Sequence, residues 1–166
     1  MVILGIDPGL ATMGYGVINK GRDGRVKMLE TGALTTPAKM PLPRRLKLLY
    51  DGMSALLERY QPEQVAIEEL FFAKNVTTAM TVGQARGVAL LAVCQRLDNE
   101  IFEYTPMQIK LAVTGYGGAD KRQVQQMVKA LLNLPAIVKP DDAADALAVA
   151  ICHAQTLPMA EPCRIH

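Results

Sequence analysis

Cysteine, long apolar runs and net charge are all scarce in this sequence. Its three cysteines, Cys94, Cys152 and Cys163, form no spaced pair. That pattern argues against a disulfide framework and fits a reduced, cytoplasmic protein. Cys152 and His153 adjoin, too compact a spacing for a zinc site, and read as a helix residue beside a helix-end histidine. No apolar run reaches the ~18 residues that would cross a membrane. The opening MVILGIDPG has neither a basic stretch nor a small-residue cleavage site, so it reads as a core strand and not as a signal peptide. The formal charge is only +2. A weak balance can still conceal a strong local one. If four of the 16 acids gather in one site, the remaining 12 against 18 bases leave +6 over the rest of the surface.

What is present suits one compact domain: 166 residues, half of them apolar. There is no repeat and no low-complexity linker. VILGID (2–7) is an almost unbroken apolar run, as expected of a strand buried on both faces. PGLATMG turns, YGVINK (15–20) is a second strand, GRDGR turns again, and 26–36 is a third. Leu42, Leu46, Leu49, Met53, Leu56 and Tyr60 mark an amphipathic helix ended by Pro62. EQVAIEE (63–69) is a short strand. A long helix spans 75–97, with Val76, Met80, Gly83, Gly87, Leu90 and Cys94 on one face. EIFEYT (100–105) is a strand, and a helix starts at Pro106. A helix over 120–134 has Asp120 as N-cap and Gln123 at the capping-box position. An alanine-rich helix follows Pro140. Residues 1–157 form the expected domain, and 158–166 a loosely ordered tail. The order βββ-α-β-α-β-α-α-α predicts a mixed five-stranded α/β sheet, antiparallel on one side and parallel on the other, with helices on both faces.

The acids are placed unusually. Asp7 ends a strand buried on both faces, where a carboxylate is costly unless paired, although it could equally start an Asx turn before Pro8-Gly9. Glu68 also ends an apolar strand, at the carboxyl end where α/β sites gather. Glu69 should face the other side by the two-residue period. Asp142 and Asp145 share a helix face. Asp142 alone is an ordinary first-turn acid, but Asp145 lies deeper, among alanines. Two acids at strand ends and two on one helix face can converge. Carboxylates so close repel and raise one another's pKa, and hard cations such as Mg²⁺ relieve that.

The blocks GIDPGLATMGYGV, AIEELFFAKN, GQARGVAL, QIKLAVTGYGGADKRQV and DDAADALAVAICHA, in order over residues 2 to about 155, together resemble the RuvC family of Holliday-junction resolvases. The resemblance implies an RNase H-like (retroviral-integrase superfamily) fold. It implies a structure-selective endodeoxyribonuclease of recombination and repair that resolves four-way junctions as a homodimer. Paired symmetric nicks would leave 5′-phosphate ends, by two-metal-ion hydrolysis with two Mg²⁺ (or Mn²⁺) per site. It implies a T-rich cleavage preference and work beside the branch-migration helicase complex (RuvA and RuvB).

By the same resemblance the metal-binding acids are Asp7, Glu68, Asp142 and Asp145, and the functional lysines are Lys110 and Lys121. Phe71 meets bases at the junction centre. Independently of the resemblance, Phe72, Lys74, Asn75 and Arg122 are read from the sequence as further DNA contacts, with one of the two phenylalanines anchoring the loop. Glu69, where the family often has glutamine, and Asp141, an added acid before the helix motif, depart from the pattern and could supply outer carboxylates. The Gly83/Gly87 face could be a dimer seam or could pack on its own sheet. Two alternatives share parts of the pattern: an RNase H-fold nuclease of RNA processing, and an ATP-using enzyme of the actin-like superfamily, whose second lobe would not fit in this length.

Overall fold

A computed structural model describes residues 1–70, 76–97, 100–157 and 160–165. The elements run β1 (Val2–Asp7), β2 (Thr12–Lys20), β3 (Val26–Thr35), α1 (Leu42–Tyr60), β4 (Gln64–Glu68), α2 (Val76–Cys94), β5 (Ile101–Tyr104), α3 (Pro106–Thr114), α4 (Lys121–Leu131) and α5 (Asp141–Thr156). The order matches that read from the sequence. One sheet, β3-β2-β1-β4-β5, holds all five strands. The meander β1-β2-β3 is antiparallel, and β4 and β5 extend it in parallel with β1.

Alternation along β1 sorts its two faces. Leu4 and Ile6 pack with Val17 under α1 and α2, whereas Ile3 packs with Ala66 and Phe102 under α3, α4 and α5. Helix α5 is the keystone of the second face, buried from Ala146 through Ala154. It lies unusually close to the sheet. A methyl at Gly5 would strike the Ala146 carbonyl, one at Gly14 the Asp142 carbonyl, and one at Gly16 the Leu147 side chain. The alanines seen in the sequence and the glycines of GIDPGLATMGYG are therefore two halves of one contact. Gly5→Ala should cost at least the upper end of the ~1–3 kcal/mol typical of overpacking, because its neighbours are backbone. An unchanged urea midpoint would contradict this packing.

In three places the structure adds to or differs from the reading of the sequence. First, β2 begins at Thr12 and not at Tyr15. The Pro-Gly turn is over by residue 11, Met13 is buried, and Gly14 pairs with Asp7. TMG (12–14) reads as a turn in the sequence, but its glycine, Gly14, makes room for α5. Second, α2 buries Ala85, Ala89, Ala92 and Val93. The face carrying Met80, Gly87 and Cys94 is turned outward, with Met80 63% exposed and open space around Gly87; the Val76 side chain lies outside the described residues. Small alanines, not glycines, make the close contact. Third, residues 160–165 are docked. Ala160 is buried, Arg164 bridges to Phe102, and the Ile165 N–H donates to the Ile101 carbonyl at 2.9 Å. Strand β5 is a sheet edge, and the tail covers its otherwise open backbone groups.

The N-terminal caps behave as read. Asp120 accepts from the Gln123 N–H and Gln123 Oε1 from the Asp120 N–H, both at 2.8 Å. His153 is wholly buried. It bonds Tyr104 Oη at 2.7 Å and Gln64 Oε1 at 2.9 Å, which ties α5 to β4 and β5.

Candidate active site

Register brings the first two acids together. Gly5 pairs with Ala66 and Ile6 with Ile67 in the parallel β1–β4 ladder, so Asp7 and Glu68 arrive side by side at the carboxyl end. Residues 3, 5 and 7 of β1 and residues 66 and 68 of β4 share the α5 face. The Asp7 and Glu68 carboxyl groups are close enough to act on one another directly. The close seat of α5 on Gly5 and Gly14 then brings the first two turns of that helix, with Asp142 and Asp145, over the same strand ends.

Electrostatics confirms the crowding. Burial first, then the charges of Glu68, Asp145 and Asp142, push the Asp7 carboxyl up to about 8. Burial raises Glu68 as well, and Asp145 adds to it, against the pull of the Asp7 hydrogen bond, Lys110 and Lys121. Asp145 is also raised by burial, with Lys121 opposing. The groups acting on Asp7 include the three other candidate acids but not Glu69, as the two-residue period requires.

Two lysines border the pit. Lys110 of α3 and Lys121 of α4 line a cavity of about 190 Å³ together with Glu68 and Asp145. The Lys121 Nζ lies 3.0 Å from Asp145 Oδ2 and 3.5 Å from Asp141 Oδ2. Burial would lower the pKa of this ammonium, but Asp145 and then Asp141 outweigh it and leave it raised. A lysine in a first helical turn opposes the helix dipole; these acids of α5 offset that cost.

Arg122 is not brought to the acids. It lines a neighbouring hollow of about 460 Å³ with Thr114, Tyr116 and Gln126. Tyr116 there is 65% exposed, a ring that motif reading passed over. Phe71, Phe72, Lys74 and Asn75 lie outside the described residues. Asp141 has more partners than its place before the motif suggested: Lys139 Nζ and Gln125 Nε2 both donate to its Oδ1, at 2.6 and 3.0 Å.

The donor chemistry suits a hard divalent cation, since the groups that act on Asp7 are carboxylates in mutual repulsion. Among the described residues no three such groups stand as a ready-made cage. The Lys121 ammonium, 3.0 Å from Asp145 Oδ2, offsets part of that repulsion.

A mixed sheet of this order, with helices on both faces and carboxylates gathered at the ends of its first and fourth strands, is an RNase H-like α/β nuclease fold. The family model described as "Crossover junction endodeoxyribonuclease RuvC" matches residues 3–153. Proteins of that name from Chloroflexus aggregans and Alkaliphilus oremlandii are 61% and 60% identical to this chain, covering 95% and 94% of both sequences in each pair. The structure of Thermus thermophilus RuvC in complex with a Holliday junction substrate superposes with a TM-score of 0.88, at 36% identity over 96% of each chain. The chain belongs to the RuvC family and is an enzyme, a crossover junction endodeoxyribonuclease. The ATP-using and RNA-processing alternatives are thereby set aside.

Proposed function

We propose that this chain resolves four-way junctions in recombination and repair by paired, symmetric nicks, with Asp7, Glu68, Asp142 and Asp145 holding two divalent cations. The observation that carries the reading is the convergence of these acids, with Asp7 pushed up to about 8, beside Lys110 and Lys121. When bound, Mg²⁺ or Mn²⁺ would activate the attacking water and stabilise the leaving oxygen of an in-line displacement. The chain's own part is positional. Strands β1 and β4 fix Asp7 and Glu68, α5 adds Asp142 and Asp145, and the cavity between Lys110 and Lys121 admits a phosphate, whose charge those lysines offset. The products are 5′-phosphate and 3′-hydroxyl ends.

The outward face of α2 is the proposed homodimer seam. Met80 and Leu91 are exposed there and Gly87 faces open space. Two-fold symmetry would match that of the junction, and sedimentation equilibrium tests it directly. The reading also takes in a T-rich cleavage preference, work in the cytoplasm beside RuvA and RuvB, and DNA contacts from Phe71, Phe72, Lys74, Asn75 and Arg122. Phe71→Ala should keep the fold and lower junction cleavage more than junction binding, since a base contact by an aromatic is worth ~1–3 kcal/mol. Full cleavage by that variant would remove Phe71 from the mechanism. Comparison of four-way junction, linear duplex and RNA as substrates tests the function itself. Preference for the junction supports it, and equal cutting of all three overturns it.

A further inference from the structure

Asp141 opens α5 immediately after Pro140. A first-turn acid is ordinary, and a favourable dipole is reason enough for one. This side chain, however, is engaged on both oxygens. Oδ1 accepts from Lys139 and Gln125, and Oδ2 faces Lys121. Gln125 is buried and lies one turn beyond Lys121 on α4, so both reach the start of α5 from one helix face. Asp141 and Asp145 are likewise one turn apart. Lys121 therefore stands between two carboxylates, nearer to Asp145 at 3.0 Å than to Asp141 at 3.5 Å.

We propose that Asp141 is a positioning residue, a second carboxylate that keeps Lys121 at the active site when Asp145 is committed to a divalent cation. The inference rests on the reading of Asp145 as a cation ligand. A cation and the Lys121 ammonium compete for the same Asp145 oxygens. With Asp141 beside it, Lys121 changes partner by a small rotation and remains at the cavity wall. Without Asp141, the lysine either holds Asp145 against the cation or swings into solvent, since its side chain is already 53% exposed. Lys139 and Gln125 fix the Asp141 carboxylate from the far side, so its second oxygen stays turned to Lys121.

The test is a double-mutant cycle with two readouts: junction cleavage in Mg²⁺, and calorimetric titration of Ca²⁺ into the DNA-free protein. Asp141→Asn keeps the size and one acceptor oxygen. It should raise the half-saturating cation concentration and slow cleavage by about tenfold, the range of an outer-sphere partner. Asp141→Glu should recover most of both. In a Lys121→Ala background Asp141→Asn should change Ca²⁺ binding by no more than about twofold, because the competitor is gone. Equal weakening in both backgrounds would show that Asp141 acts on the cation directly and would overturn the proposal, as would no effect in either. Asp145→Asn is the control on the underlying reading. Ca²⁺ binding unchanged by it would overturn the site assignment and the proposal together, a failure distinct from a flat cycle with Asp145 confirmed.

Discussion

Asp7→Asn is expected to abolish junction nicking, by ~10³-fold or more as for other groups that stabilise developing charge, while junction binding survives. It is also expected to stabilise the metal-free protein. The two effects share one cause. Asp7 is held by burial and by Glu68, Asp145 and Asp142 at a pKa of about 8, against ~4 in an unfolded chain. Between those values the folded state keeps a proton that the unfolded state releases. A carboxyl raised in this way loses stability as pH rises from ~4 to 8. At pH 7 the penalty approaches ~2–4 kcal/mol once partial exposure is discounted. Asparagine has no proton to lose, and its amide can donate to Glu68 as the protonated Asp7 does. Thermal melting in chelator should show a higher midpoint for Asp7→Asn, and added Mg²⁺ should stabilise the wild type but not the variant. A variant that nicks normally, or is less stable without metal, would contradict the strained-acid description.

The second large effect belongs to His153, outside the cluster of acids. Burial, and then the Lys20 charge, push this imidazole down to about 4. Its bonding explains why a neutral ring fits. Gln64 Nε2 donates to Glu100, which leaves Gln64 Oε1 to accept from His153 Nε2, and Nδ1 then accepts from Tyr104 Oη. A second proton on the ring would face the tyrosine donor. The unfolded chain takes up that proton below ~6.5 and the folded chain resists it down to about 4, so this contribution to stability is lost as pH falls through that window. The site acids titrate in the opposite sense over part of the same range, so the difference between wild type and His153→Gln isolates the histidine. From pH 7 to pH 4 that difference should move by about 3 kcal/mol in the variant's favour. A difference constant with pH would mean that His153 is protonated in the fold.

Much of this was legible because strand period and helix period are short-range. The apolar runs ending at Asp7 and Glu68, and the spacing of Asp142 and Asp145, placed four acids on elements before any geometry was known. The capping box at Asp120 and Gln123 was equally local. What escaped was non-local. TMG (12–14) looks like part of the turn until α5 is laid on Gly14. The buried face of α2 is set by which side meets α1 and the sheet, and alanines serve there as well as glycines. The tail at 160–165 has little pattern of its own and is ordered by the open edge of β5. Asp141 was visible as an extra acid, but its partners lie on α4 and on the residue before Pro140, and no spacing rule connects them.

The most direct measurement is cleavage of a synthetic four-way junction with a branch-mobile core, with Mg²⁺ and with chelator. The predicted result is a pair of nicks at symmetric positions in two opposing strands, each leaving a 5′-phosphate, and only when the cation is present. Cutting that persists in chelator, or that falls on arms and linear duplex as readily as at the crossover, would contradict it.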